Sequence, residues 1–125
     1  MKKPTNSKQP RKQRKWRYKA PLHVRGSIIS ATLDPELRKK YKRRSMNIRK
    51  GDIVKVLRGT PKKMSGEVTR VSRKKYKVYV DGINIKKADG TEVQRALDPS
   101  NLMITELYIE DKERRDVLER NIKKE

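Results

Sequence analysis

The sequence predicts a mainly β protein: a small antiparallel barrel with a basic extension before it and a helix after it. After residue 48, β-branched and aromatic residues recur at a spacing near two, and Gly, Pro, Asp and Ser clusters divide them into short strands. The density of Lys and Arg before that point predicts the extension. The expected divisions are 1–47 for the extension, with a short helix near 35–42, 48–108 for the barrel and 109–125 for the C-terminal helix.

The composition limits the core and indicates a polyanionic partner. Of the 125 residues, 32% are hydrophobic and 41% are charged, and Phe is absent, so the chain can bury only one small core. Lys and Arg number 36 against 15 acids, for a net charge of +21. The first fifty residues hold 18 of these cations and two acids, Asp34 and Glu36. Because self-repulsion at this charge opposes compaction, we expect a polyanion as the partner.

Several classes of protein are disfavoured. Without Cys there is no disulfide and no cysteine-based zinc site, and His23 alone makes no metal cluster. No apolar run has the length of a membrane span or signal peptide, which indicates a soluble intracellular protein, and no bulky amphipathic helix suggests lipid binding. The acids are scattered and no phosphate-cradling Gly loop follows a strand. We therefore expect no enzyme, no cofactor, no metal and no small-molecule substrate.

Residues 1–19 contain no Val, Ile or Leu and are predicted to be an arm rather than a folded element. Apart from Met1, Trp16 and Tyr18 are the only large apolar side chains among nine Lys and Arg. One interpretation is that the cations neutralise phosphates while Trp16 stacks on a base or sugar, as in segments that fold on RNA. The other is a solvated tail whose Trp docks on its own domain. We favour the first, because basic blocks often act as nucleic-acid arms.

Residues 20–33 are predicted to connect this arm to a helix. His23, near Arg25, either contacts phosphate or a base, or is only a local hydrogen-bonding group. The helix begins at Asp34, because Asp caps free N–H groups and the Pro that follows suits the first helical position. Leu37 and Tyr41, four residues apart, are expected to pack. Six cations between residues 38 and 44 cover the opposite face and the helix end, where they favour phosphate.

The barrel strands are expected around residues 53–57, 68–71, 76–80 and 102–104. Turn signals separate them at Gly59-Thr60-Pro61, Ser65-Gly66, Asp81-Gly82 and Asp89-Gly90. Residues 83–97 have weak periodicity, which predicts a loop or an irregular hairpin. The end, from Asp111 to about Lys123, has oppositely charged pairs at i,i+4, which predicts a solvated helix with a narrow stripe of Val117, Leu118 and Ile122.

Residues 51–59, GDIVKVLRG, followed by SGEV at 65–68, resemble the KOW motif, which is a strand, a loop, an essential glycine and a second strand. Gly66 would lie where the loop enters the second strand, a place that often needs positive φ or a close backbone approach. LRKKY at 37–41 and RSMNIRKGD at 44–52 look like the segment before the KOW motif in the large-subunit ribosomal protein twenty-four family of archaea and eukaryotes. Further similar segments are APLHVR, RKKY, KADGTEV and DPSN, at 20–25, 73–76, 87–93 and 98–101.

The resemblance implies an SH3-like barrel with extensions that binds the 5′ region of large-subunit rRNA. It implies that the protein acts early, as an assembly initiator. It also implies a location in the cytoplasm, within the large ribosomal subunit and near the polypeptide exit tunnel. Neighbouring ribosomal proteins are then partners, exit-tunnel factors are further candidates, and no membrane is involved. Two alternatives stay open: a KOW module of a transcription elongation factor that binds a polymerase, and a non-specific cationic protein.

Two departures from the family pattern are visible. Family members often have a Lys-Gly-Lys type loop before the motif glycine, whereas TPKKMS stands at 60–65, so the loop is expected to be stiffer and its RNA contact to differ. Eukaryotic members carry a longer basic tail than this chain, which ends at Glu125, and this favours the archaeal branch.

The candidate rRNA-binding residues are the cations and aromatic residues of the arm, the basic helix and the barrel loops. They are Arg11, Lys12, Arg14, Lys15, Trp16, Arg17, Tyr18, Lys19, His23, Arg25, Arg38, Lys39, Lys42, Arg43, Arg44, Arg49, Lys50, Lys62, Lys63, Arg73, Lys74 and Lys75. Trp16 and Tyr18 are the stacking candidates. Gly51, Gly59 and Gly66 are expected to be structural.

Overall fold

The computed structural model of the protein describes residues 6–59 and 64–123. The first part of this region alternates helices with short strands: α1 (Pro10–Lys19), α2 (Leu22–Ile28), β1 (Ser30–Leu33), α3 (Pro35–Tyr41) and β2 (Ser45–Asn47). The second part is mainly strand and ends in a helix: β3 (Ile53–Val56), β4 (Ser65–Ser72), β5 (Lys77–Val80), β6 (Asn84–Lys86), β7 (Glu92–Gln94), a 3-10 turn (Pro99–Asn101), β8 (Leu102–Glu106) and α4 (Lys112–Lys123). Within the described residues, no helix is long and apolar enough to cross a membrane.

Six strands form one sheet in the order β2-β1-β8-β3-β4-β5. Neighbouring strands are antiparallel except β1 and β8, which run parallel with Thr32 opposite Met103. β6 and β7 pair separately as a hairpin. The mainly β fold class with helices at both ends is therefore confirmed, although helical residues are about as numerous as strand residues.

The core consists of aliphatic side chains that alternate along the strands. In β3, Val54 and Val56 are buried while Ile53 and Lys55 are half-buried. In β8, Leu102 and Ile104 are buried at the same spacing of two residues. Side chains of period two point to one face of a sheet, so these strands contribute to a single apolar layer. Other elements complete this layer with Ile29, Ala31, Leu33, Tyr41, Met46, Ile48, Val68, Val78, Val80, Ile83, Leu97 and Leu118.

The predicted helix after Asp34 is confirmed, and its ends follow from local chemistry. The Asp34 side chain accepts a hydrogen bond from the Glu36 amide (3.1 Å), and Pro35 occupies the first turn. The helix ends at Tyr41, because Lys42 adopts the left-handed conformation with φ 53°. Leu37 and Tyr41 pack against the core, as expected from their spacing.

The strand predictions are confirmed for β3, β4, β5 and β8, as are the hairpin within 83–97 and the C-terminal helix. Two details were wrong. Ser65 and Gly66 lie inside β4 rather than in a turn, with Gly66 opposite Val54. Tyr76 belongs to the β4–β5 turn, not to a strand, and has φ +56°. The signals at Thr60 and Pro61 lie outside the described residues.

The prediction that residues 1–19 are an arm without folded structure was wrong. Residues 10–19 form α1, with Pro10 in its first turn. Arg, Lys and Gln have good intrinsic helix propensity, so a segment without aliphatic residues can still be helical when its end is anchored. The anchor is Ala20, which is buried directly after the helix.

The prediction of a connector over 20–33 was also wrong. This segment contains α2 and then β1, which pairs with β2 on one side and with β8 on the other. Strands from residues assigned to the extension therefore contribute to the main sheet. Few local signals in the sequence indicate β1. Its pairing depends on β8, which lies about seventy residues further along the chain. The domain division at residue 47 stays a prediction.

Candidate nucleic-acid interface

The C-terminal end of α1 is held against the β4–β5 turn. The Tyr76 hydroxyl donates to the Arg17 carbonyl, and the Arg17 guanidinium stacks on the Tyr76 ring with its carbon 4.4 Å from the ring centre. This cation–π contact is typical of arginine. Helix α1 is thereby placed beside the basic turn at 73–75, although 59 residues separate Arg17 from Tyr76.

Arg25 on α2 connects to both α1 and the β4–β5 turn through backbone carbonyls. Its guanidinium donates to the carbonyls of Ala20 (2.8 Å), Lys74 (3.0 Å) and Tyr18 (2.5 Å). It also lies 5.2 Å from the Tyr76 ring centre. A planar fork of five N–H donors suits several acceptors at once. Arg25 was predicted to bind rRNA, and in this structure its donors bind the protein itself.

Between α1 and the turn lies a cleft of about 600 Å³, which we call the α1 cleft. Its lining combines four cations with two tyrosine rings: Arg14, Arg17, Tyr18, Arg25, Lys74 and Tyr76. All were predicted as binding residues except Tyr76. Tyr18 is 79% exposed, so its ring is open to a ligand.

A second cleft, of about 520 Å³, lies between the β2–β3 connection and β4, and its lining residue Arg73 directly precedes Lys74 of the α1 cleft. Arg49, Lys50 and Arg73 were predicted to bind and line it together. Arg70, which also lines it, was missed. Its guanidinium stacks on Tyr79 at 4.1 Å. Period-two alternation would place Arg70 on the same face as buried Val68, but the register of β4 shifts between these two residues and Arg70 is exposed, so the local pattern did not indicate it.

A narrow cleft of about 130 Å³ connects this region to α2 and includes predicted His23, which is exposed. It shares Arg49 and Arg73 with the second cleft. Gly26 faces Arg73 here, since a Cβ at Gly26 would lie 3.3 Å from the guanidinium carbon. A side chain at that position would therefore crowd the arginine that links the clefts.

We call the exposed cations of these clefts the basic surface. Its members are Arg14, Arg17, Arg49, Lys50, Arg70, Arg73 and Lys74. Among the described residues, those that line the three clefts include no Asp or Glu. One of the lining cations, Arg49, binds the carboxylate of Asp111, which lies outside the clefts. Their cations consequently present positive charge to solvent, as phosphate binding requires.

Trp16 occupies a different position from Tyr18. It is half-buried and lines a separate cleft with Ile28 and Pro99, beside the start of β1 and the 3-10 turn. This arrangement agrees with the second interpretation of Trp16, in which it docks on its own domain. Of the two stacking candidates, Tyr18 is the more exposed.

The remaining predicted cations lie on α1, on the β4–β5 turn and around α3. Arg11, Lys12, Lys15 and Lys19 are exposed on α1, and Lys75 is exposed on the turn. The α3 group of Arg38, Lys39, Lys42, Arg43 and Arg44 lines none of the three clefts. In this group, Arg38 donates to the Leu33 carbonyl (2.8 Å) and Arg43 to the Val117 carbonyl (3.4 Å). Lys62 and Lys63 lie outside the described residues.

The predicted structural glycines meet three different demands. Gly51 (φ +98°) has the Tyr108 ring 3.1 Å from where a Cβ would be, and Gly59 has φ +100°, which side chains rarely adopt. A Cβ on Gly66 would lie 2.5 Å from the Asp81 carbonyl oxygen. Of the two requirements considered for Gly66, the close backbone approach is the one that applies.

Beneath the basic surface lies an ion pair that sequence reasoning missed. Asp52 and Arg114 have side chains that are 0% and 2% exposed, and two hydrogen bonds of 2.6 Å join them. Asp52 also accepts from the amides of Arg49 (3.0 Å) and Tyr108 (2.9 Å). The contact fixes α4 against the connection that carries Arg49 and Lys50.

Arg114 has further acceptors in the backbone. It donates to the carbonyls of Asn47 and Tyr108, each at 2.9 Å, while its Nε is buried without an acceptor among the described residues. The charge pattern of α4 indicated only a solvated helix, because nothing local distinguishes Arg114 from Arg115.

A second ion pair lies at the rim, where the Arg49 guanidinium binds the Asp111 carboxylate. The hydrogen bond from Arg49 lowers the pKa of Asp111 below its usual 3.8. On the same segment, the hydrogen bond and charge of Glu110 raise the pKa of Tyr108 above its usual 10.0. The described residues contain no cluster of three or more His, Cys, Asp or Glu that could hold a metal ion.

Comparisons with known proteins agree with this picture. A family model for the eukaryotic ribosomal proteins L26 and their archaeal L24 counterparts matches residues 7–121. The chain is 56% identical over 112 residues to the large ribosomal subunit protein uL24 of Methanospirillum hungatei, covering 90% of this chain and 93% of that protein. It is 52% identical over 114 residues to the protein of the same name from Methanothrix thermoacetophila, covering 91% and 98%.

Proposed function

The chain belongs to the family of ribosomal proteins called L26 in eukaryotes and L24 in archaea, and we propose that its basic surface binds large-subunit rRNA. As a member of this family it is a structural, non-enzymatic constituent of the large ribosomal subunit, located in the cytoplasm. Its partners there are rRNA and other ribosomal proteins.

The observation that carries the proposal is the meeting of cations from four chain segments on one surface. Arg14 and Arg17 come from α1, Arg49 and Lys50 from the β2–β3 connection, and the others from β4 and the β4–β5 turn. Contacts to phosphate and sugar position a protein on RNA, while the A-form groove leaves little base sequence for side chains to read. Recognition by the shape of folded rRNA is the mode that this surface suits.

The place and timing of binding rest on the family resemblance. We propose binding near the 5′ end of the large-subunit rRNA, a role as an early assembly initiator, and a position near the polypeptide exit tunnel, where exit-tunnel factors are candidate partners. The rigid attachment of α1 to the turn supports an early role, because a preorganised surface loses less conformational entropy on binding than an unfolded arm would.

The proposal is tested by removing two adjacent charges at a time. Arg73→Gln with Lys74→Gln changes the basic surface, and Lys86→Gln with Lys87→Gln is the matched control, an exposed pair on the β6–β7 hairpin. The slope of log K against log salt should fall by about 0.7–0.9 for each phosphate that the first variant no longer neutralises, and it should stay unchanged in the control. Binding to an in vitro transcript of the cognate large-subunit rRNA is measured from about 50 to 200 mM salt, where affinity falls steeply with salt. Equal weakening of binding in both variants would contradict the proposal.

Co-sedimentation separates the alternatives. The native protein in a cell lysate should sediment with the large ribosomal subunit. A transcription-factor module would instead appear in polymerase fractions, and a non-specific cationic protein would be displaced from rRNA equally well by duplex DNA.

A further inference from the structure

We propose that the α1 cleft is a binding site for one unpaired nucleotide of rRNA, whose base stacks on Tyr18 and whose phosphate lies between Arg14 and Lys74. This inference rests on the proposed function and adds a specific ligand to one part of the basic surface. The volume of the cleft, about 600 Å³, lies within the range of about 300–1,000 Å³ that holds small ligands in proteins.

The lining provides flat groups rather than point charges alone. Tyr18 and Tyr76 contribute rings, and Arg17 contributes a guanidinium plane that already stacks on Tyr76 at 4.4 Å. Proteins recognise single-stranded RNA by stacking bases on aromatic rings and arginine planes, with cations along the backbone. A purely electrostatic contact with duplex phosphates would not need an exposed aromatic ring.

Tyr18 stands out among these groups by its exposure. At 79% exposed it is the most solvent-accessible of the large hydrophobic residues in the described part of the chain, and the cleft is beside it. Its backbone is nevertheless fixed, because its carbonyl accepts from Arg25 (2.5 Å). Because the backbone of Tyr18 is anchored, less conformational entropy is lost when a base stacks on its ring, and this favours binding.

The other cations of the cleft divide into structural and available groups. Arg25 is committed to three backbone carbonyls, and Arg17 is stacked on Tyr76. Arg14 and Lys74 are exposed and both line the cleft, one from α1 and one from the turn. A phosphate between them would be contacted by both elements, so the bound nucleotide would bridge α1 and the barrel.

The test compares Tyr18→Ala with Tyr18→Phe in the full chain, with Ile85→Ala as the control for removal of an exposed apolar side chain elsewhere. Removing one base stack should weaken binding to the large-subunit rRNA transcript by on the order of ten- to a hundredfold. The salt slope should stay that of the wild type, because the cations that bind phosphate are unchanged. Tyr18→Phe should recover the affinity, and Ile85→Ala should bind as the wild type does.

Irradiation at 254 nm gives an independent readout. We expect a cross-link between Tyr18 and a nucleotide that is unpaired in the rRNA. Wild-type affinity of Tyr18→Ala, a reduced salt slope in that variant, failure of Tyr18→Phe to recover binding, or a cross-link to a paired nucleotide would each overturn the nucleotide site. The rRNA-binding proposal fails separately, when the Arg73/Lys74 pair and its control weaken binding equally.

Discussion

The basic surface and the Asp52–Arg114 contact use the same kind of side chain in opposite ways. Arg70 and Arg73 are exposed beside other cations, whereas Arg114 is buried and its two terminal nitrogens reach a carboxylate and two carbonyls. Taking charges out of water costs several kcal/mol per ion, which only a partner with good geometry and further hydrogen bonds can offset. The surface cations keep their hydration until a polyanion replaces it.

The number of cations in a region therefore says little about what each one does. Arg25 lies within the α1 cleft and yet resembles Arg114, because its donors are directed to backbone carbonyls. Asp52 and Arg114 are in turn connected to the surface, since the Arg49 amide binds the same carboxylate. The buried pair thereby positions a segment whose side chains face the RNA in our proposal.

The largest expected effect comes from breaking the buried pair. Arg114→Ala leaves Asp52 buried without its countercharge and should lower the free energy of unfolding by about 3–5 kcal/mol. Arg115→Ala is the matched control on the same helix, where an exposed residue should cost within about 0.5 kcal/mol. Urea denaturation followed by circular dichroism measures both. A decrease below about 1 kcal/mol in Arg114→Ala would mean that the pair is not the constraint described above.

A smaller effect sharpens the comparison at Arg25. Arg25→Lys keeps the charge but replaces a planar fork by one ammonium, which cannot reach all three carbonyls in the same geometry. The lysine ammonium can keep some of these contacts, so the expected decrease in the free energy of unfolding is that of about one hydrogen bond to a charged donor, about 1.5–3 kcal/mol. Arg11→Lys, an exposed change on α1, is the control. Equal stability of the two variants would place Arg25 with the surface cations instead.

The smallest effect concerns the rim pair of Arg49 and Asp111. Because the folded-state pKa of Asp111 is below its unfolded value of 3.8, the pair stabilises the protein above that value and the contribution disappears as pH falls through the folded pKa. Asp111→Asn should therefore reduce the dependence of stability on pH in this acid range. NMR titration of the Asp111 carboxyl checks the premise, and a pKa at or above 3.8 would contradict it.

Local signals predicted part of the fold and part of the site. The cap at Asp34 acts over a few residues, and so does the spacing of two between Val54 and Val56 or between Leu102 and Ile104. The sequence therefore predicted α3, β3 and β8. The prediction failed for α1, where the absence of Val, Ile and Leu was taken to exclude a folded element. It also failed for β1, whose parallel partner is distant in the chain.

The excess of cations, their concentration before residue 51 and the periodicity that builds the strands follow from the amino-acid sequence alone, because each depends on residue type and short spacing. Which of the cations are available to a ligand depends on the tertiary fold. Arg25 reaches a carbonyl 49 residues away and Arg114 a carboxylate 62 residues away, so both are structural, while Arg70 and Tyr18 face solvent. Hydrogen-bond acceptors and burial come from segments that only folding brings together, and these set whether an arginine holds the protein or binds another molecule.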